Sequence, residues 1–149
     1  MVDVGAKAET AREAVASAAV RMKPATLALV AAGTGARGKG DVLGTARIAA
    51  IAALKRTAEW IPLCHTIPLD LLKVTPRLDP KTRSVVIEAE ARTRAATGVE
   101  MEAMVAAAAA ALALYDMVKG VDRGVRIERV ELLEKSGGAS GTWLAPPAR

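Results

Sequence analysis

Ionisable side chains stand at both ends of one apolar stretch, residues 97–119, which reads TGVEMEAM, then an alanine run, then LYDMVK. Glu100 and Glu102 occupy one end, Asp116 and Lys119 the other. On a helix, Glu102 and Asp116 share a face and lie about 21 Å apart. One small ligand does not reach both ends of one copy. Either one end alone is functional, or two chains each lend an end to a shared site. Asp116 and Lys119 are spaced i, i+3 and meet on one face. As an exposed ion pair they contribute little. In a partly desolvated, lysine-rich pocket the lysine pKa falls, and the two exchange protons near neutrality.

Three further segments carry chemistry. Pro62 and Pro68 fix a connection that holds the only cysteine, Cys64, and the only histidine, His65. Zinc needs three or four ligands, so this pair does not make a zinc site. Adjacent Cys64 and His65 are expected to point to different sides, with His65 donating a hydrogen bond to a substrate. Residues 33–38, GTGARG, fit the G-x-G-x-x-G dinucleotide fingerprint, with Glu59 downstream, and with Lys39 nearly fit a P-loop. The first needs a strand leading to its acidic residue, the second a Ser or Thr where Gly40 stands. The plainer reading is a mobile loop, residues 33–40, whose Lys39 closes over a polyphosphate. In ELLEKSGGASG, Lys135 precedes flexible glycines, where a lysine and free amides suit phosphate. Lys39, Lys55, Lys119 and Lys135 act together only if the fold gathers them.

The elements that must do so follow from pattern. The 149 residues suit one domain, and the near absence of aromatics (Trp60, Trp143, Tyr115, no Phe) leaves Ala, Val, Leu and Ile to build its core. Residues 8–22 are alanine-rich without a helical stripe and fit either helix or strand. A short helix over 25–32 follows Pro24. Asp41 caps a long helix over 42–60, with Leu43, Ile48, Ile51 and Leu54 on its inward side. Residues 69–78 and 84–93 form a hairpin, with Val85, Ile87, Ala89 and Ala91 opposite Val86, Glu88, Glu90 and Arg92. A helix over 98–120 and an irregular strand over 125–133 complete a domain of residues 1–141. Residues 142–149 read as a flexible tail. The order is an α+β, ferredoxin-like antiparallel sheet with helices on one face, and a second subunit is expected over the other. A net charge of +5 and a pI near 9.7 suit an anionic partner. One cysteine excludes an internal disulfide, and no secretory signal or membrane-spanning run is evident, which points to the cytoplasm.

Six segments together resemble the MoaC family of molybdenum-cofactor biosynthesis: MVDVGAKAETAR, KGDVLGTARIAAIAALKRT, IPLCHTIPL, TGVEMEAM, YDMVKGVDR and LLEKSGGASG. The resemblance runs from Met1 to about Gly141. Two departures are Thr66, where the family commonly has proline, and the unvaried alanine run. Neither alters an ionisable motif residue. The resemblance implies a lyase assembled as a hexamer of three dimers, with its site where two subunits meet. It implies conversion of 3′,8-cyclo-7,8-dihydroguanosine triphosphate, supplied by a radical GTP cyclase, to cyclic pyranopterin monophosphate and pyrophosphate. Asp116 and Lys119 are then catalytic. Leu63, Cys64, His65, Met101 and Glu102 line the pocket, and Glu100 contacts the purine-derived ring. Lys39, Lys55 and Lys135, with Arg12, hold the triphosphate. No cofactor is required, although magnesium can accompany the triphosphate.

Two other readings compete. A basic ferredoxin-like module would bind nucleic acid, but such modules stack bases on sheet aromatics, and this hairpin has none. A non-catalytic subunit of the pathway leaves the lysines and carboxylates unexplained. Neither a nucleic-acid nor a membrane partner is expected.

Overall fold

The alanine-rich segment that suits either helix or strand is a strand. In the computed structural model, which describes residues 1–146, it forms β1 (Thr10–Arg21) inside a five-stranded sheet. Helix propensity favours alanine, but burial overrides it: Ala14, Ala16, Ala18 and Val20 are fully enclosed at a period of two. Then come α1 (Pro24–Ala31), a 3-10 turn (Ala36–Gly38), α2 (Val42–Leu54) and α3 (Thr57–Trp60). The hairpin of β2 (Leu71–Asp79) and β3 (Ser84–Ala95) leads into α4 (Glu100–Val118), and β4 (Arg126–Ser136) and β5 (Trp143–Leu144) follow. The strands lie in the order β2-β3-β1-β4-β5, and every neighbouring pair is antiparallel. The irregularity expected in β4 appears as two register shifts against β1, at Val15/Ala16 and Ala19/Val20. β5 arises within the stretch read as a tail, and residues 147–149 of that stretch lie outside the described residues.

Two expectations are corrected. The helix over 42–60 is two helices. Arg56 leaves helical geometry (φ −122°, ψ 19°), and the Thr57 hydroxyl donates to the Leu54 carbonyl at 2.9 Å, so the chain restarts as α3. Asp41 does cap α2, accepting from the Gly44 N–H at 2.9 Å. The inward side of α2 is also different: Val42, Ala46, Ala50, Ala53 and Leu54 are buried, while Ile48 is 69% and Ile51 42% exposed. α2 packs on the alanine run of α4, and small side chains at the contact bring two helices close.

The sheet face away from the helices, over which a second subunit is expected, carries a lattice of charges: Arg92 pairs with Glu13 and Glu90, Arg77 with Glu88, and Arg129 with Glu131. Beneath these side chains Ser17, Ala19 and Val86 are buried. Strands β1 to β4 contribute no aromatic residue to either face. On the other face α4 crosses β1, β3 and β4, with Ala103, Ala106, Ala107, Ala110, Ala111 and Leu114 buried. By length and composition α4 suits a membrane span, yet here it is the central core helix. Its position fixes what its two ends can reach.

Candidate active site

At the N-terminal end of α4, the 61–68 connection folds back over the first helical turn. The Cys64 N–H donates to the Ile61 carbonyl at 3.0 Å, a turn that presents the next residues to the helix. The result is a pocket of about 320 Å³ lined by Lys7, Leu63, Cys64, His65, Glu100, Met101 and Glu102, among others. Cys64 and His65 both line it, contrary to the expectation that they diverge. His65 and Glu102 also line a neighbouring cavity of about 110 Å³, which brings Lys55 to the same region. Lys135, at the end of β4, sits 3.5 Å from a Glu100 carboxylate oxygen and donates to the Ser140 hydroxyl at 2.7 Å. The register of β4 puts it opposite Ala14, on the helix side of the sheet.

The electrostatics of this pocket favour neutral acids. Glu102 is 4% exposed. Burial pushes its carboxyl pKa above the ordinary range, and the Glu100 charge adds to the effect. The Cys64 thiol is also pushed up, first by burial and then by Glu102, so it is not an activated nucleophile.

The C-terminal end of α4 is a different environment. Lys39 reaches Asp116 from the 33–40 loop, donating to its carboxylate at 2.8 Å and to its backbone carbonyl at 2.9 Å. Lys119 pairs with the other carboxylate oxygen at 2.6 Å. Hydrogen bonds from Lys119 and then Lys39 hold the Asp116 pKa down at about 2. Lys119 is raised by the same contact, opposite to the depressed value expected of a proton-moving lysine. In one chain this is a resting ion triad, with Asp116 ionised and Lys119 protonated at neutral pH.

The expected site residues therefore fall into two sets. Leu63, Cys64, His65, Glu100, Met101 and Glu102 share one pocket, with Lys55 and Lys135 at its margins. Asp116, Lys119 and Lys39 stand together about 21 Å away along the helix. Arg12 joins neither: its Nε and Nη2 donate to the carbonyls of Ala95 at 3.0 Å and Ala96 at 3.1 Å. Lys7 was not singled out from sequence, although it lies in the N-terminal segment MVDVGAKAETAR. That segment has no periodicity to place it, and only the fold brings it to the pocket. Among the described residues, no group of three or more His, Cys, Asp and Glu is placed to hold a metal ion.

Comparison with known proteins converges on one group. A sequence model described as the MoaC family matches residues 1–138. A protein of Thermomicrobium roseum is 54% identical over 143 residues, covering 96% of this chain and 85% of its own length. One of Brucella ovis is 54% identical over 151 residues, covering 99% and 89%. A Nostoc protein is 51% identical over 146 residues, covering 98% and 86%. Each of the three carries the name cyclic pyranopterin monophosphate synthase.

Proposed function

The chain belongs to the MoaC family, and from that premise we propose that it is a lyase of molybdenum-cofactor biosynthesis. It converts 3′,8-cyclo-7,8-dihydroguanosine triphosphate, delivered by a radical GTP cyclase, to cyclic pyranopterin monophosphate and pyrophosphate. The observation that carries the reading is the division of one ionisable set between the two ends of α4. Glu102, Val105, Ala109, Leu112, Asp116 and Lys119 recur at steps of three and four residues, so they form one stripe with charged ends and an apolar middle. Two copies with this stripe antiparallel bring the pocket of one beside the Lys39–Asp116–Lys119 triad of the other. Leu112 supports this, being 52% exposed at the middle of the stripe. The assembly is a hexamer of three such dimers. The strand order β2-β3-β1-β4 supports the ferredoxin-like reading of each subunit.

Within that shared site each group has a task. The buried Glu102 and His65 face the base ring, and Glu102 gives up a proton as the ring opens and recloses. A ribose hydroxyl attacks the α-phosphorus, forming one P–O bond, while the P–O bond to the β-phosphate breaks and pyrophosphate leaves. Lys39, Lys55 and Lys135 offset the charge that develops on it. A triphosphate competes with Asp116 for the Lys39 and Lys119 ammonium groups. As it takes them, the depressed Asp116 pKa relaxes upward and the carboxylate becomes a usable base. Substrate thus switches on the group that acts on it. Magnesium can accompany the triphosphate, and no resident cofactor is invoked.

The test uses purified chain and authentic cyclic nucleotide, with pyrophosphate release and fluorescence of the oxidised pterin as readouts. Stoichiometric appearance of both is expected. Folded protein that yields neither overturns the proposal.

A further inference from the structure

Arg37 occupies a conformation that its residue type disfavours. Only two non-glycine residues among those described have positive φ, Arg83 at the β2–β3 turn and Arg37 at φ 53°, ψ 39°. Left-handed geometry crowds the Cβ of any residue but glycine. Strain of this kind persists where the surroundings over-determine it, and it clusters at functional sites. The surroundings here are explicit. The Gly35 N–H donates to the Gly40 carbonyl at 2.8 Å and closes the loop. Ala36 is 1% exposed, and a Cβ on Gly120 would lie 3.2 Å from that of Ala36. Lys39 ties the far side of the loop to Asp116.

With the loop stapled at these points, the Arg37 side chain passes over Gly120, whose missing Cβ would lie 3.9 Å from Arg37 Cδ and 4.0 Å from Nε. Gly120 directly follows Lys119. Arg37 is exposed and takes part in none of the ion pairs among the described residues. Two cations therefore hold the Asp116 carboxylate, and a third, Arg37, lies beside the residue that follows Lys119 with no anion among those pairs.

We propose that Arg37 is a further anion-binding residue, whose planar guanidinium completes with Lys39 and Lys119 a subsite for the terminal, diphosphate part of a polyphosphate. Arginine suits this task because its donors form a fixed fork that matches two phosphate oxygens, whereas each lysine offers a point charge. The left-handed backbone aims that fork. The inference rests on the proposed turnover of a nucleotide triphosphate and adds Arg37 to the lysines that meet its phosphates.

The probe is inorganic pyrophosphate, titrated calorimetrically into the full chain and into Arg37→Ala, Arg37→Gly and Arg37→Lys. Losing a charged hydrogen-bonding fork is expected to raise the Kd about tenfold or more. Arg37→Gly separates the two contributions of the residue, because glycine adopts positive φ without strain. If the guanidinium binds the anion, Arg37→Gly weakens binding as much as Arg37→Ala, and Arg37→Lys recovers part of it. Wild-type affinity in Arg37→Gly or Arg37→Ala overturns the inference, as does a wild-type chain that binds no pyrophosphate. Binding is read without turnover. A chain that binds pyrophosphate through Arg37 but does not convert the nucleotide removes the functional reading and leaves the subsite standing.

Discussion

Subunit mixing tests the shared site quantitatively. Asp116→Asn removes the carboxylate at one end of α4, and Glu102→Gln removes the acid at the other. If each site takes Glu102 from one chain and Asp116 from its partner, each variant alone is inactive. A mixed dimer then has one site with both groups intact and one with neither. Equal mixing makes half the dimers mixed, and half of their sites work, so about one quarter of wild-type activity per chain returns. The double variant mixed with wild type gives the complementary result: every mixed dimer is dead at both sites. Activity then falls from about half to about one quarter of an all-wild-type sample as exchange proceeds. The assay is pyrophosphate release after exchange, with differently tagged chains to verify mixing. The geometry makes the outcome sharp, since about 21 Å of helix separates the two groups within one chain. No rescue after verified exchange refutes the division of the site, and so does rescue far above one quarter.

Other outcomes follow from the same contacts. Glu102 keeps its proton to higher pH than an ordinary carboxyl; as the proton donor it should make the wild-type kcat/KM fall as pH rises through its pKa, and a profile flat across that range contradicts the role. If polyphosphate raises the Asp116 pKa, linkage requires that neutralising Asp116 tighten the polyphosphate. Asp116→Asn should then bind pyrophosphate more strongly by calorimetry while losing turnover; weaker binding contradicts the competition. Asp122 is 1% exposed and accepts from the Lys23 N–H at 2.9 Å, the Thr26 hydroxyl at 3.0 Å and the Gly124 N–H at 3.0 Å. Asp122→Ala should cost about 3–5 kcal/mol in denaturant unfolding and about 10 °C in Tm. Burial raises the Asp122 pKa, but those hydrogen bonds outweigh it and hold the value low. The stabilisation is therefore present above the ordinary carboxylate pKa of about 4 and is lost as pH falls through the folded value. The stability gap between wild type and Asp122→Ala should therefore narrow in acid, and a gap independent of pH contradicts the lowered pKa.

What sequence revealed and what it hid divide along physical lines. The hairpin faces of Val85, Ile87 and Ala89 against Glu88, Glu90 and Arg92 were legible, because alternation is a two-residue signal read locally. The Asp41 cap was legible for the same reason. The identity of β1 was not: Ala14, Ala16, Ala18 and Ala19 carry neither stripe nor alternation, and only the sheet on both sides decides for strand. The inward face of α2 misled because isoleucine is the more apolar side chain, whereas close approach to α4 favours alanine. At the site, Leu63, Cys64 and His65, consecutive in sequence, share one pocket with Glu100, Met101 and Glu102 on one helical turn, although Cys64 and His65 do not diverge as expected. The surroundings of Lys7 and Arg12 were hidden, since Glu100, which lines the pocket with Lys7, and Ala95, which accepts from Arg12, lie more than eighty residues away in sequence.

The charge state of the Asp116 triad was hidden for a related reason, and it bears on how a resting enzyme differs from a working one. Sequence shows a lysine one turn after an aspartate, a pairing that fits a depressed lysine as well as a raised one. The second cation decides between them. Lys39 arrives from the 33–40 loop and occupies the Asp116 oxygen that Lys119 leaves, so the carboxylate is doubly satisfied and Lys119 stays charged. A lysine of that kind does not abstract protons, and an aspartate with a pKa of about 2 does not either. Proton chemistry at this end of α4 therefore requires a competitor for the two ammonium groups, and phosphate oxygens are competitors of the right charge. The loop that carries Lys39 also carries Arg37, so on the proposed reading an arriving polyphosphate has an unpaired cation to meet before it must displace a paired one. If Arg37 binds the anion as proposed, the strained residue captures it while the triad is still closed.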